Sequence, residues 1–390
     1  MILASATDAL VESIREDIRR SGPISFARFM EHALYHPAHG YYSSDRAVLG
    51  RQGDYFTNVS VGAAFGQLLA GQFALIWEAL GRTRDFVLVE QGAHHGELAR
   101  DVLQFLRDQW PDLFATLQYR IVEPFPPLQS RQRETLGEFN DKVEWRGFVD
   151  ALEPFTGVHF SNELFDALPV HLISSQNDAG RNSAGPDRWV EKRVTVSSGD
   201  FAFVAQPVAD PALRARLAQL PQLPAGYETE INLAAPRLIR DLSRKLRRGC
   251  IVAVDYGRSR ARYYSEDRRK GTLQIRAQHT LLESPFTRIG QADITAHVEW
   301  TSLIEEGEAC GLVFSGLTDQ HHFLTGLLAA FPEFVEQASP KTRRALQTLL
   351  HPEMLGRSFQ VLVLSRAMEG APPLVGFKFA RDPRSALSSL

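Results

Sequence analysis

At 390 residues the chain is too long for one average domain, so one large catalytic domain with an insertion, or two domains, is the starting expectation. Hydrophobic residues make up 44% and charged residues 23%, and no apolar run approaches the roughly 20 residues that span a bilayer, so membrane insertion is not expected. The 43 Lys and Arg nearly balance the 46 Asp and Glu, which leaves no global field for nucleic acid, and two cysteines, Cys250 and Cys310, rule out a disulfide framework or a cysteine-rich zinc site.

The N-terminus carries Asp8, Glu12, Glu16 and Asp17, whereas transit peptides avoid acids and secretory signals need an apolar stretch. Residues 7–20 therefore read as an amphipathic helix and not as an address, and a cytoplasmic bacterial location is expected ahead of the mitochondrial matrix. With a loop near 36–42 and an apolar helix at 61–80, this makes a helical cap over 1–84. From 85 onward strands and helices alternate: FVLVE (86–90), a helix at 97–109, YRIVEP (119–124) and a helix at 127–136. Further strands are expected at 158–166, 188–196 and 250–257, with 358–367 closing an edge. The fold class is α/β, a doubly wound Rossmann-like sheet spanning most of the chain. The stretches 174–187 and 210–227 have hairpin-loop and short-helix composition, which places an insertion at about 200–245. The basic, turn-rich stretch at about 258–291 is expected as a lid-like loop or a disordered one.

FVLVEQGAHHGELARDVLQFL is a strand, a glycine-bearing turn and a helix, the arrangement in which backbone amides and a helix N-terminus face a nucleotide or amino acid. Gly92 and Gly96 permit the turn. Glu123 ends the next strand, where a carboxylate can accept hydrogen bonds from both ribose hydroxyls. Nicotinamide dehydrogenases present the same unit, so these residues alone do not choose between hydride and methyl transfer. The adjacent His94 and His95 raise a metal site, but neighbours in sequence rarely share one ion, and no metal is expected.

Seven blocks, in order, resemble the MidA family of methyltransferases: GDYFTNVSVGAAFGQLLA (53–70), the turn at 90–98, YRIVEPFPPLQSRQ (119–132), SNELFDALPV (161–170), VDYG (254–257), KGTLQIRAQH (270–279) and ADITAHVEW (292–300). The resemblance covers nearly the whole chain and implies a methyltransferase domain over 85–390, with S-adenosylmethionine as donor. For mitochondrial members it further implies methylation of an arginine on a respiratory complex I subunit during assembly. Carried over by position, Glu90, Gly92 and Gly96 fall at the methionine end of the donor and Glu123 at its ribose. Gly53, Asp54 and Thr57 line the same cleft, and Phe148 and Val149 neighbour the adenine. The sequence departs from the family at His94, where similar proteins carry a central glycine; histidine tolerates that conformation better than most residues.

On the acceptor side, Asn162, Glu163 and Asp166 fall near the end of an expected strand, and paired acids can hold a guanidinium bidentately. Glu163 is expected to take the acceptor's proton. Alternatively Asp166 caps a helix and Asn162 closes a turn. Asp293 and His297 are expected near the cleft, or as a cap and a satisfied core histidine. The expected function is methyl transfer to arginine on a protein partner. A small-molecule O- or N-methyltransferase and a catalytically silent assembly factor remain open beside it.

Overall fold

The computed structural model describes residues 2–43, 57–176, 186–278, 280–382, 384 and 387. Contacts divide the chain into two compact units, one falling within 1–55, 166–237 and 260–297, the other within 56–165, 238–259 and 298–390. The boundary expected at 84 is not where this division falls, and the expected insertion at about 200–245 captures only part of the first unit. Among the described residues no helix is long and apolar enough to cross a membrane.

The second unit is built on a sheet of seven main strands: β1 (Phe86–Gln91), β2 (Gln118–Val122), β3 (Val143–Arg146), β4 (Phe155–Asn162), β5 (Leu246–Arg258), β6 (Val313–Asp319) and β7 (Phe359–Arg366). Their spatial order is β6-β7-β5-β4-β1-β2-β3, with the short strand Val298–Glu299 beside the end of β5. β1 to β5 run parallel, and β7 runs antiparallel to both of its neighbours. β1, β4 and β7 are buried along almost their whole length, as strands covered on both faces must be. β7 was expected to close an edge; instead it lies inside the sheet, and β6 is the edge. The sequence of β6 hides it, because a register shift between Phe314 and Gly316 interrupts the alternation of a regular strand.

Helices α1 (Ala64–Ala79), α2 (Glu97–Gln109) and α3 (Pro126–Thr135) belong to this unit. α1 was expected in a separate cap, but Leu68, Phe73 and Trp77 share one core with Leu88 and Phe160 of the sheet. The first unit holds the helices Ile2–Ser21 and Phe26–Tyr35 and an antiparallel sheet ordered Ile24–Ser25, Trp189–Ser197, His171–Ser175, Glu228–Ile231, with Asp200–Pro207 paired to Trp189–Ser197. The strand expected at 188–196 thus exists, but outside the parallel sheet; only Trp189, Glu191 and Val194 along it are buried, as in an antiparallel strand that is not covered on both faces. The expected lid-like loop is also largely folded: Gln274–Ala277 pairs with Thr280–Leu281 and Asp293–Thr295, and Ile275, Ala277 and Ile289 are buried. Much of the expected loop at 174–187, like His279, lies outside the described residues.

In β4, Gly157 has φ +147°, and a Cβ there would lie 2.0 Å from the carbonyl oxygen of Val87 on β1. No side chain can yield, because the obstacle is backbone in the centre of the sheet. Gly157→Ala should therefore destabilise the protein by about 2–5 kcal/mol, strain and overpacking together. Urea unfolding measures this; a loss below 1 kcal/mol would show that β1 and β4 can part without penalty.

Candidate functional site

β1 lies between β2 and β4, and β4 between β1 and β5, so the chain leaving β1 goes to β2 on one side while the chain leaving β4 returns at β5 on the other. That makes the carboxyl end of β1 a topological switch point, where doubly wound sheets open a crevice. The turn leaving β1 alternates left-handed residues: Gly92 at φ +79°, His94 at +45° and Gly96 at +87°. His94 takes the left-handed conformation itself, at a cost of about 1–2 kcal/mol for a residue with a Cβ, and its carbonyl accepts a hydrogen bond from Gln132 Nε2 at 2.8 Å. α2 then opens at Glu97 with no side chain capping it, which leaves its first amides and its dipole for an anionic group.

His94, His95 and Glu97 bring three possible metal-ligand atoms within 4.8 Å of one another. The two imidazoles lie tilted against each other, with centroids 3.7 Å apart and planes inclined by 31°.

Two acids are buried beside the turn. Glu90 of β1 accepts a hydrogen bond from the Tyr119 hydroxyl of β2 at 2.6 Å, yet burial outweighs that bond and pushes its carboxyl from 4.5 up to about 7. Glu123, just past β2, accepts from the Phe125 amide at 3.0 Å and from Gln132 Nε2 at 3.2 Å, and burial again raises it to about 7. Gln132 is fully buried, and its Oε1 accepts from Trp145 Nε1 of β3 at 2.8 Å.

At the end of β4, Asn162 Nδ2 donates to Glu163 Oε1 at 2.8 Å, and Asn58 Nδ2 donates to Asn162 Oδ1 at 2.9 Å. A carboxylate only accepts, so Glu163 fixes the orientation of Asn162, and Asn162 in turn fixes Asn58. The strand stops here because Glu163 is left-handed, φ +53°. The turn after it is gripped by Asp255 of β5, whose Oδ2 accepts from the Leu164 and Phe165 amides at 3.1 and 2.8 Å.

Of the remaining expected residues, Thr57 is buried and its Oγ1 accepts from the Ser60 amide at 3.2 Å. Val149 is buried, while Phe148 is 70% exposed. Gly53 and Asp54 lie outside the described residues. Asp166, expected on the strand with Glu163, lies beyond the end of β4 and belongs to the first unit, where its carbonyl accepts from the Ala296 amide at 2.9 Å. In that unit the Tyr42 hydroxyl donates to Asp293 Oδ1 at 2.6 Å, and burial, then the charge of Asp293, raise the phenol well above its ordinary value. His297 is held there through its amide, which donates to Thr272 Oγ1.

Sequence reasoning passed over Gln132, Asn58, Trp145, Tyr119 and the grip of Asp255. Gln132 left a signal: it occupies the middle of a buried stripe, Leu128, Gln132, Leu136, at helical spacing, where a polar residue needs partners.

Residues 68–318 match a family described as "Putative S-adenosyl-L-methionine-dependent methyltransferase". A Burkholderia thailandensis protein crystallised with S-adenosyl-homocysteine is 34% identical, with a TM-score of 0.85, over 100% of this chain and 98% of that one. The chain is 27% identical to "Protein arginine methyltransferase NDUFAF7 homolog, mitochondrial" of Drosophila melanogaster, over 96% of this chain and 89% of that protein. It is also 27% identical to "Protein arginine methyltransferase NDUFAF7, mitochondrial" of Mus musculus, over 89% and 82%.

Glu90 generates a stability prediction. Its folded value is about 7 against an ordinary 4.5, so the folded chain holds the proton more tightly and stability falls as pH rises from about 4.5 to 7. Glu90→Gln keeps an oxygen for Tyr119 and removes the titration. It should change stability little at pH 5 and raise it by up to about 3 kcal/mol at pH 8. Urea unfolding at both pH values checks this, and an equal effect at the two would show that Glu90 carries no such penalty.

Proposed function

Because the chain belongs to this family of S-adenosyl-L-methionine-dependent methyltransferases, we propose that it methylates an arginine on a protein partner and that Glu163 receives the arginine's proton. The observation that carries the proposal is Glu163 at the carboxyl end of β4, its Oε1 held by the Asn162 amide. Two relatives named as protein arginine methyltransferases lend support over most of the chain.

The residues at the switch point fit the donor. Gly92 and Gly96 leave two left-handed positions of the turn without a side chain, the uncapped amides of α2 suit a carboxylate, and Glu123 suits a ribose diol. Bound S-adenosylmethionine supplies an electrophilic methyl group on a good leaving group. The protein's part is alignment and proton management. An arginine side chain is protonated at any physiological pH, so the nitrogen that gains the methyl must give up a proton during or just after transfer. Glu163 is the group proposed to take it. The two amides, Asn58 to Asn162 to Glu163, donate in series toward its Oε1, which favours the ionised acceptor form and holds it in place.

Isotopically labelled donor added with the protein to a bacterial lysate should place label on protein arginine, read by mass spectrometry of digests. Glu163→Gln should leave donor affinity unchanged by calorimetry and cut labelling by about 10²-fold or more. Asp166→Asn, measured separately, tests whether the second acid contributes. Label found only on a small molecule would replace the arginine reading. If the protein bound no donor and His94→Gly restored binding, the chain would be a silent assembly factor.

A further inference from the structure

We propose that Gln132 is a positioning residue for the methyl donor, locking Glu123 to the glycine-bearing turn in the orientation that accepts the ribose hydroxyls. The inference rests on the reading of Glu123 as the ribose acid. Gln132 closes the block 119–132, and its hydrogen bonds single it out. The side chain is fully buried and spends both ends of its amide: Oε1 on Trp145 Nε1 at 2.8 Å, Nε2 on the His94 carbonyl at 2.8 Å and on Glu123 Oε2 at 3.2 Å. An indole N–H can only donate, so Oε1 must face Trp145, and Nε2 is left facing two acceptors. Turning the amide over would set oxygen against oxygen at both. One side chain of α3 therefore fixes three elements at once: the turn after β1, the acid after β2 and the indole of β3.

The consequence is electrostatic as well as geometric. Burial opposes a charge on Glu123, and two hydrogen bonds, from the Phe125 amide and from Gln132, favour it. Ribose hydroxyls donate best to a carboxylate, so donor affinity should weaken as pH falls through about 7. Losing Gln132 removes one of those two bonds and should move this acid limb upward. Of the charged groups on the packed elements, Arg146 of β3 is paired with Glu144 and Glu153 and Arg131 of α3 with Glu134, Arg133 lies over the Trp145 ring at 4.4 Å, and Glu90 of β1 is the second buried acid raised to about 7. His94 and His95 in the turn are left unchanged in every variant compared.

The test is calorimetric titration of the full chain with S-adenosylmethionine between pH 6 and pH 9. Gln132→Leu should shift the acid limb up by about one pH unit, the scale of one hydrogen bond to a charged group, so that affinity at pH 7 drops several-fold while at pH 9 it approaches wild type. Trp145→Phe, which frees the amide without emptying the core, should shift the limb the same way by less, and it decides the matter if Gln132→Leu does not fold. Glu123→Gln should bind weakly and keep only the contribution of Glu90, the other buried acid raised to about 7, and adding Gln132→Leu to it should shift the pH dependence no further. Uniform weakening by Gln132→Leu at every pH, or an unmoved limb in Trp145→Phe, would make Gln132 a packing residue and overturn the proposal. Wild-type affinity and pH dependence in Glu123→Gln would instead remove Glu123 from the donor site, a failure of the underlying reading and so of this one.

Discussion

Three carboxylates, Glu90, Glu123 and Asp255, are buried at the carboxyl edge of one parallel sheet, and a buried carboxylate is tolerated only where the fold supplies donors to it. Each is answered by a different element. Tyr119 meets Glu90 and so clamps β1 to β2; backbone amides meet Asp255 and so pin the turn after β4 to β5; Phe125 and Gln132 meet Glu123 and so join β2 to α3. The edge where a ligand would bind is thereby braced across several elements. The turns directly after β2 and β4 are held by these acids, whose displacement would leave their donors unpaired.

Much of this was legible in the sequence. β1, β2, α2 and α3 stand within a residue or two of where periodicity places them, because each is a clean apolar run or stripe bounded by Gly or Pro. The turn chemistry was equally visible: Gly92 and Gly96 are left-handed, and the histidine between them adopts the same conformation. Those are local properties, carried by residues that are neighbours in the chain. What stayed hidden was non-local. Gln132 bonds to residues 38 and 13 positions away, Asn58 to one 104 positions away, and nothing in a single sequence marks such pairs.

The first unit shows the same limit at larger scale. Alternating strands at 188–197 can be read from their pattern, but the sheet they join cannot, since antiparallel hairpins and parallel crossovers use similar residues. SNELFDALPV shows it within ten residues. The block reads as one strand end, yet Glu163 turns left-handed and Asp166 belongs to the other unit. Sequence adjacency placed the two acids together, and a single backbone conformation is enough to separate their structural roles.

The reversed strand β7 also bears on how the protein is made. β5 pairs with β4 on one side and with β7 on the other, and β6 pairs only with β7. During synthesis β5 therefore carries an open, apolar backbone edge until residues 359–366 leave the ribosome, and β6 has no sheet to join before then. Such an edge is a template for pairing with other chains. Premature termination just short of β7 would leave a long, nearly complete product with an unpaired strand edge, and so an aggregation-prone one.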